Sequence, residues 1–350
     1  MLFGKKGIIG LDIGSRHIKV VQLNEVSDGY QLERIGIATL QPELIVDGSI
    51  LDSLRVVEAI KELIANSDIR VKDTVLSVSG HSSVITKRIT LPQMTDEELD
   101  ESIKFEAEQY IPFDIEDVDV DFQILGRRAE EGQMDVLVIA VKKDKINEYV
   151  SVVKDAGLKP VIVDVDVFAL ENVYETNYEI IPEENIALVT IGASTINMNI
   201  LKDGVSVFTR DSSIGGNVLT EALQKEFTIS YDNAEKLKRG EAVEGISQED
   251  VSSVLISTSE EIIAEISRSF DYFRSTTSNE DVNEVIFSGG GALVKDFAPL
   301  LSERLGVGVQ LIEPFRNIDI PDKFDKGYLK KIESIVTIAV GLALRRVGDR

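Results

Sequence analysis

Residues 7–23 read GIIGLDIGSRHIKVVQL, and a related stretch, NIALVTIGASTINMNIL, occupies residues 185–201. Each copy has the pattern of a strand, a tight turn and a second strand. At one constant offset, the aligned pairs are Ile8 and Ile186, Asp12 and Thr190, Ile13 and Ile191, Gly14 and Gly192, Ile18 and Ile196, and Lys19 and Asn197. The repeat predicts two similarly built halves, and the charged residues of the first turn are replaced by uncharged ones in the second.

The composition is typical of a globular protein of about two domains. The chain has 350 residues, of which 43% are hydrophobic and 28% are charged, and its formal net charge is −24. This charge argues against a nucleic-acid partner, because a phosphate-binding face needs a local excess of Lys and Arg, and no segment has one. The same charge favours basic partners.

Cysteine and histidine usage limits the possible metal chemistry. The chain has no cysteine and two histidines, so disulfides and thiolate metal sites are excluded and a histidine metal centre is not expected. The opening residues MLFGKKG lead into an apolar run that Asp12 interrupts, which argues against a secretion signal. No run approaches the roughly 18 apolar residues of a membrane span. We therefore expect a soluble, cytoplasmic protein, and a position beside a membrane stays open.

The first part of the chain is predicted to form an α/β unit. Residues 7–40 predict three antiparallel strands, with turns at Gly14-Ser15 and Asp28-Gly29. Apolar residues at helical spacing in DSLRVVEAIKELIANS predict a helix, and TVLSVSG predicts a further strand. This order of three strands, a helix and a strand is typical of an α/β lobe.

Residues 82–160 have a different texture and predict an inserted α+β unit. Thr95 and Glu98 form a capping box at the start of a helix, which ends at YIPFD because Pro112 cannot continue it. Two strand-like runs, DVDVDFQIL and MDVLVIAVK, and a helix, KINEYVSVVKDAG, complete the unit. The run PVIVDVDVF then resumes the parent sheet.

The opening pattern of strand, turn and strand begins again at Asn185. An acidic helical stretch is predicted from Val218 to about Gly245, and a long core-facing helix is predicted between Glu260 and Arg274. The run VIFSGGGAL predicts a buried strand followed by three glycines. The last helix, over about residues 332–346, is apolar nearly all round and is predicted to pack between layers.

The turn DIGS has the chemistry of a phosphate site. Gly14 allows a phosphate oxygen to approach backbone N–H groups and the Ser15 hydroxyl. Asp12 would hold a hydrated Mg²⁺ ion, and Lys19 would neutralise charge nearby. A tight hairpin capped by Asp12 explains one copy equally well, but two copies favour a clamp around a triphosphate. The SGGGA turn would then lie against adenine or ribose.

Several segments together resemble the PilM family of the type IV pilus assembly machinery, within the FtsA/PilM group of actin-like ATPases. They include GLDIGSRHIKVVQL, EAEQYIPF, SIGGNVLTEAL, DNAEKLKRG and VIFSGGGALVKDFAPLLSERLGV, and the resemblance covers about residues 7–345. It implies an actin-like, ribonuclease H-like α/β fold of two duplicated lobes with an inserted α+β 1C subdomain. The implied bounds are 1–81, 161–184 and 332–346 for the first lobe (1A), 82–160 for 1C, and 185–331 for the second lobe (2A, with 2B at about 220–260).

The resemblance also implies ATP or ADP and Mg²⁺ as cofactors, with Asp12 as the metal-binding residue. The first phosphate turn would contribute Asp12, Gly14, Ser15 and Lys19, and the second Gly192, Ser194 and Thr195. The other nucleotide contacts would be Gly215 and Gly216, Glu235 and Lys238 at ribose and base, and Gly289, Gly290 and Gly291 beside the adenosine. By their spacing alone, Glu235 and Lys238 are an ordinary i,i+3 helix pair.

Hydrolysis is expected to be slow or absent. Members of the superfamily usually carry Asp in the second phosphate turn, where this chain has Thr190. Loss of that carboxylate weakens magnesium placement and the orientation of an attacking water. Asp166 lies where relatives carry a water-orienting residue, but Asp164 and Asp166 can equally well terminate a strand. ATP would then set a conformation for a partner rather than drive a catalytic cycle.

A partner site is predicted in KFEAEQYIPFD, where an apolar pocket with acidic neighbours would suit a short, basic, apolar peptide. The residues predicted to form it are Glu106, Tyr110, Ile111, Pro112 and Phe113. The resemblance implies that the peptide is the cytoplasmic N-terminal segment of the inner-membrane protein PilN, held between the insert and the first lobe. It also implies other inner-membrane platform proteins of the pilus as partners, and self-association is possible. The alternative is that these residues only pack the insert against the lobe.

Three other functions stay open at the level of the sequence. A small-molecule kinase of the same superfamily would need a general base, for which Asp166 is the strongest candidate. A polymerising cell-division protein like FtsA would need complementary lobe surfaces, which patterning does not reveal. A type II secretion component like GspL usually has a transmembrane helix, for which the sequence offers no segment.

Overall fold

The computed structural model of the protein describes residues 7–27, 29–46, 48–277 and 280–348. The predicted turn residue Asp28 and most of the opening MLFGKKG lie outside these ranges. The strands are β1 Ile9–Ile13, β2 His17–Val26, β3 Gly29–Thr39, β4 Ile45–Val46, β5 Ser49–Ile50, β6 Asp73–Val78, β7 Val84–Pro92, β8 Val118–Arg128, β9 Gln133–Lys142, β10 Lys159–Val165, β11 Asn185–Ile191, β12 Ile196–Lys202, β13 Val205–Ser212, β14 Glu284–Ser288, β15 Gly308–Leu311 and β16 Ile318–Asp319. The helices are α1 Ser53–Asn66, α2 Asp96–Glu108, α3 Lys143–Asp155, α4 Asp166–Asn177, α5 Asn217–Phe227, α6 Tyr231–Lys238, α7 Gln248–Thr276, α8 Phe297–Leu305 and α9 Lys326–Leu344.

The two large sheets repeat one strand order. The first sheet contains β3-β2-β1-β6-β10 and the second β13-β12-β11-β14-β15. In each sheet three consecutive strands, β1 to β3 or β11 to β13, are antiparallel neighbours. Two further strands, β6 and β10 or β14 and β15, extend the sheet in parallel beyond β1 or β11. The duplication predicted from residues 7–23 and 185–201 is therefore confirmed in the topology.

Helices α4 and α9 lie between the two sheets. They share one hydrophobic cluster with Val21 and Val75 of the first sheet and Leu188 and Ile286 of the second. This explains why the α9 sequence is apolar nearly all round, as predicted. The two helices cross closely, since a Cβ added at Gly341 would lie 1.8 Å from the Ala169 carbonyl oxygen.

The outer face of each large sheet has its own helices. Helices α1 and α3 share a cluster with the first sheet, and helices α5 to α8 share another with the second. The predicted helix KINEYVSVVKDAG is α3, but its buried residues Tyr149, Val152 and Val153 pack in the first-sheet cluster rather than within the insert. The helical region near 220–260 likewise shares the cluster of the second sheet, through residues such as Leu219 and Leu237.

The insert is a three-stranded antiparallel sheet, β7-β9-β8, with α2 packed on it. Helix α2 begins with the predicted capping box, because the Glu98 N–H donates to the Thr95 hydroxyl and the Thr95 N–H donates to the Glu98 carboxylate. Leu99 and Ile103 of α2 are buried against the sheet.

The chain returns to the first sheet earlier than the predicted boundary at residue 332. Strand β16 pairs in parallel with β3, through Ile318 with Tyr30 and Asp319 with Gln31. A two-residue strand has too little pattern to be recognised in a sequence, since strand patterning needs several alternating residues. Among the described residues, no helix is both long enough and apolar enough to cross a membrane.

Replacing Gly341 with Ala is expected to destabilise the protein by about 2 kcal/mol, because an extra methyl group in a close-packed interior forces backbone shifts. The midpoint of urea unfolding measures this change. Gly126→Ala is the matched control, since a Cβ there meets no atom within 4 Å. The control should change the free energy of unfolding by less than about 0.5 kcal/mol. Equal midpoints for the two variants would contradict the close crossing of α4 and α9.

Candidate functional site

The two repeated turns have the same backbone closure. Asp12 is the cross-strand partner of Lys19, and Thr190 is the cross-strand partner of Asn197. The first turn closes by a hydrogen bond from the Gly14 N–H to the His17 carbonyl, 3.1 Å, and the second by the equivalent bond from Gly192 to Thr195, 2.8 Å. The alignment made on the sequence is therefore also the structural alignment.

The turns lie opposite each other across a cleft between the two sheets. The hydroxyl oxygens of Ser15 and Ser194 are 2.8 Å apart and form a hydrogen bond across it. The cleft is lined by predicted phosphate-turn residues, among them Asp12, Gly14, Lys19, Gly192 and Thr195. The residues assigned to the two phosphate turns are therefore brought together in space.

The two turns differ in charge. The Lys19 ammonium donates to the Asp12 carboxylate at 2.9 Å, and both side chains are largely buried. In the second hairpin Thr190 occupies the place of Asp12, and its hydroxyl lies 2.5 Å from that of Ser288 on the neighbouring strand β14. A neutral hydrogen bond thus replaces the ion pair, and the second turn offers no carboxylate.

Two backbone hydrogen bonds join the second turn to the start of α5. The Gly216 and Asn217 N–H groups donate to the Gly192 and Ala193 carbonyls at 2.9 and 2.8 Å. Gly216 lines the cleft, whereas Gly215 packs against the turn, since a Cβ there would lie 2.7 Å from the Ala193 carbonyl oxygen. Gly215 therefore supports the turn rather than facing the cleft.

The three glycines after β14 have different roles. Gly289 has φ +86, and its N–H donates to the Ser334 carbonyl of α9 at 2.8 Å. Gly290 lines the cleft and has open space around its Cα. A Cβ on Gly291 would lie 2.7 Å from the Ile191 Cβ, so this glycine is required for packing at the end of β11.

The predicted ribose and base residues also line the cleft, and they bind each other. The Lys238 ammonium donates to the Glu235 carboxylate at 2.5 Å and to the Thr220 hydroxyl at 2.7 Å. It also donates to the Gly216 carbonyl at 3.3 Å. The i,i+3 pair anticipated from spacing is therefore present, at a position where it faces the cleft.

Two residues that directly follow the first turn, Arg16 and His17, also line the cleft and were not predicted as site residues. The Arg16 guanidinium lies 4.6 Å from the centre of the Tyr231 ring and 3.6 Å from the Asp232 carboxylate, so it connects the first turn to α6 across the cleft. His17 also lines the cleft, and burial, with Lys19 next in importance, lowers its pKa to about 4. Both residues follow the turn directly in GSRH, which was the available signal.

Asp166 is the first residue of α4 and lines the cleft on the side of the first sheet. The Ser77 hydroxyl donates to its carboxylate at 2.5 Å. Burial raises the pKa of Asp166 to about 6, and the nearby Asp12 adds to the shift. The neighbouring Asp164 instead accepts two hydrogen bonds from Arg345, at 2.6 and 3.2 Å.

A half-buried carboxylate joins the cleft to the start of the insert. Asp211 of β13 accepts from the Asn197 side chain at 2.9 Å and from the Gly80 N–H at 2.8 Å. Burial raises the pKa of Asp211, and both hydrogen bonds oppose that shift. This carboxylate therefore connects the strand of the second turn to the segment that leads into β7.

The residues predicted for the partner site lie elsewhere than expected. Ile111 is buried in the insert's own core, where Phe113 packs against it beneath the Lys142 ammonium. Tyr110 is 41% exposed and Pro112 is exposed. Glu106 is half-buried on α2. Ile111 and Phe113 therefore have a packing role, as the alternative to a partner site proposed. They pack within the core of the insert and not between the insert and the first sheet.

The groove between the insert and the first sheet is formed by other residues. Strands β8 and β9 form one wall, β10 and α4 the other, and Val78, Ile139 and Phe168 contribute apolar surface. The acidic residues that line it are Asp119, Asp121, Asp164, Glu171 and Glu175, and Arg345 is the cationic one. Alternating Asp in DVDVDF and PVIVDVDVF was the sequence signal for this acidic lining.

Glu171 is the most perturbed carboxyl group of the groove. Its side chain is 8% exposed and accepts a hydrogen bond from Asn199 at 2.8 Å. Burial raises the pKa of Glu171 to about 7, and Glu175 and Asp164 add to the shift, whereas Asn199 and Arg345 oppose it. In the described part of the chain, no group of three or more His, Cys, Asp and Glu residues is arranged to hold a metal ion.

Comparison with known proteins places this architecture in a family. The family model described as type IV pilus assembly protein PilM matches residues 10–347. A solved structure of a PilM-PilN type IV pilus biogenesis complex is 27% identical, covers 99% of this chain and 100% of its own, and superposes with a TM-score of 0.85.

Two more distant structures share the fold alone. The ethanolamine utilization protein EutJ of Carboxydothermus hydrogenoformans is 16% identical, with coverage of 96% and 88% and a TM-score of 0.57. MreB5 of Spiroplasma citri, bound to AMPPNP, is 13% identical, with coverage of 96% and 95% and a TM-score of 0.52. The fold is thus the predicted actin-like α/β fold, and the chain belongs to the PilM family of type IV pilus assembly proteins.

Proposed function

We propose that the chain binds ATP or ADP with Mg²⁺ between the two repeated turns and uses the bound nucleotide to set its conformation rather than to hydrolyse it. The observation that carries this proposal is the pair of turns with one backbone closure, facing each other across the cleft. Duplicated turns around one gap supply donors to both sides of a polyphosphate.

The cleft residues fit an anionic ligand. Within the described part of the chain, the backbone N–H groups of Ser15, Ala193 and Ser194 donate to no acceptor, so phosphate oxygens can take them. Arg16 and Lys19 add positive charge beside the first turn. Asp12 is the carboxylate for a Mg²⁺ ion, which in such sites is held by one or two carboxylates together with phosphates and water. The ion would neutralise phosphate charge.

The hydrogen bond between Ser15 and Ser194 gives the nucleotide a way to act. Each serine hydroxyl has one proton, so when both donate to phosphate oxygens neither can donate to the other, and the 2.8 Å hydrogen bond that joins the two turns is lost. Each turn belongs to a different sheet, and the nucleotide would therefore change the relative position of the two halves. Binding energy that differs between the two arrangements shifts their populations.

Slow hydrolysis follows from what surrounds the phosphate position. Thr190 supplies no carboxylate to orient an attacking water, and its hydroxyl already bonds Ser288. Both features favour a bound nucleotide over a rapid cycle.

We further propose that the acidic groove between β8 and β10 binds the cytoplasmic N-terminal peptide of PilN, the second component of the related complex. Five carboxylates facing one Arg, above apolar side chains, suit a basic and apolar extended peptide. The chain would then be held at the inner face of the inner membrane through PilN and other platform proteins. The family assignment does not favour the FtsA-like, GspL-like or kinase alternatives.

Nucleotide binding is tested by calorimetry with MgATP. Lys19→Ala is expected to weaken ATP binding at least about tenfold, because it removes a charge-assisted phosphate contact and leaves Asp12 unpaired. Lys159→Ala is the matched control, since it also removes an ion pair, at 3.4 Å to Asp73, but outside the cleft. Phosphate release should stay below about 0.01 per second. Rapid release, or equal affinities of the two variants, would count against the proposal.

Peptide binding should depend on pH. The raised pKa of Glu171, about 7, means that its carboxyl group is largely neutral at pH 6 and largely ionised at pH 8. The groove gains negative charge as the pH rises, so a basic PilN peptide should bind about threefold more tightly at pH 8 than at pH 6. Fluorescence anisotropy with the N-terminal peptide of the PilN from the same genome measures the ratio.

Glu171→Gln should abolish this pH ratio, because the amide has no charge at either pH. Asp121→Asn is the control, since it removes another groove charge and should weaken binding at both pH values without altering the ratio. Two results would show that Glu171 does not face the peptide. One is a wild-type affinity that decreases as the pH rises from 6 to 8, and the other is a Gln variant that keeps the wild-type ratio.

A further inference from the structure

The insert sheet has two outer edges, and each faces a different part of the molecule. In the order β7-β9-β8, the edge strand β8 lines the acidic groove opposite β10. The other edge strand, β7, faces β13, which is itself the outer strand of the second sheet. The Thr86 and Thr209 hydroxyls contact each other where β7 and β13 meet. Beyond this contact the strands bound a second cleft, with an internal volume of about 870 Å³.

This second cleft is basic, unlike the protein as a whole. Its lining contains four cationic residues, Lys87, Arg88, Arg128 and Lys202, and two acidic ones, Asp135 and Glu280, which gives a local charge of +2 from four minus two. The chain as a whole has a net charge of −24. A basic cleft on an acidic protein attracts a different partner from the one that the acidic groove attracts.

The cations are held in place at the cleft wall. Arg88 and Arg128 each lie 3.0 Å from the Asp135 carboxylate, and Lys202 lies 2.7 Å from Glu280. Lys87 is exposed and has no ion pair within the described residues. Arg128 also lies 2.8 Å from the Glu131 carboxylate, but each guanidinium has five N–H donors, so the two groups retain donors for a further anionic group.

The backbone of β7 has free hydrogen-bonding groups on this side. The Lys142 N–H donates to the Ser83 carbonyl, and the Gln93 N–H donates to the Gly132 carbonyl, both at 2.9 Å. Bonded and non-bonded pairs alternate along an antiparallel ladder, so odd-numbered β7 residues bond β9. The N–H and carbonyl groups of Thr86, Arg88 and Thr90 therefore point away from β9, toward the open edge.

The opposite wall has an aromatic surface. Tyr272 of α7 is 52% exposed, and its ring centre lies 5.9 Å from that of Phe208 on β13. If an extended peptide paired with β7, its side chains would alternately contact this aromatic surface and the cations of the cleft. An unpaired edge strand beside side-chain pockets is the arrangement used when a partner adds a strand to a sheet.

We propose that an acidic, extended segment of a partner protein binds in this basic cleft by adding a strand to β7. The insert would then bind two peptides of opposite charge, one on each edge of a single small sheet. A second copy of this chain fits the cleft poorly, because its own acidic strand β8 lies inside its groove opposite β10. The proposal does not depend on nucleotide binding or on the PilN groove.

A designed acidic peptide tests the proposal on the full-length protein. The probe is a fluorescein-labelled dodecapeptide of alternating Asp and Val, and its partner probe carries Pro in place of Val. We expect the first probe to bind with a Kd below about 1 mM and the second not to bind, because Pro removes the N–H groups that strand addition requires. Equal binding of both probes, or no binding of either, overturns the proposal.

Paired variants locate the contact. Arg88→Gln with Lys202→Gln should weaken binding of the acidic probe about tenfold. Arg304→Gln with Lys323→Gln is the matched control, since these cations are also partly exposed and paired with carboxylates but lie outside the cleft. Thermal unfolding of both double variants verifies that they fold. An unchanged affinity for the Arg88 and Lys202 pair contradicts the assigned site.

Amide hydrogen exchange, resolved by NMR on the deuterated protein, distinguishes the two edges of the insert sheet. Binding should slow exchange at Thr86, Arg88 and Thr90, whose N–H groups are free, and leave Ile85 and Ile89 unchanged because they already bond β9. Protection on β8 instead would overturn the assignment. Concentration-dependent dimers with the same β7 protection in the absence of probe would show that a second copy is the occupant, which also overturns it.

Discussion

The fit of α9 between the two large sheets is the contact on which the other parts depend. A Cβ at Gly10 of β1 would lie 2.2 Å from the Ala339 carbonyl oxygen, so this helix rests directly on the backbone of the first sheet. On its other side, the Ser334 carbonyl accepts the Gly289 N–H at the end of β14. One helix thus fixes the spacing of both sheets and contributes Ser334 and Ile338 to the cleft. Interiors packed this closely move between discrete arrangements rather than deform continuously.

Much of the fold could be predicted because its signals are local. The repeated pattern around Gly14 and Gly192 fixes the hairpin register, and the register fixes which turn residues are equivalent. The capping box at Thr95 and the all-round apolar character of α9 are likewise readable within a few residues. The facing of the two turns followed from duplication, since similar halves packed on a shared pair of helices bring equivalent turns to one cleft.

The features that could not be predicted arise where distant segments meet. The acidic groove is formed by β8 and β10, each of which has an ordinary strand pattern alone, so the sequence does not reveal that the two strands face each other. The placement of α3 depended on which apolar surface competed more strongly for Tyr149 and its neighbours. Gly291 looked like a ligand contact, but its need for glycine comes from Ile191, which only the packing reveals.

The bridging carboxylate Asp211 has a mechanical consequence. It holds Asn197, beside the second turn, and Gly80, where the chain enters the insert, at fixed distances of 2.9 and 2.8 Å. These two hydrogen bonds link the second turn to the small sheet, so a displacement of the turn would pull on the segment that leads into β7. If the nucleotide changes the affinity of a channel beside the small sheet for its peptide, thermodynamic reciprocity requires that the peptide change the affinity of the cleft for the nucleotide by the same factor.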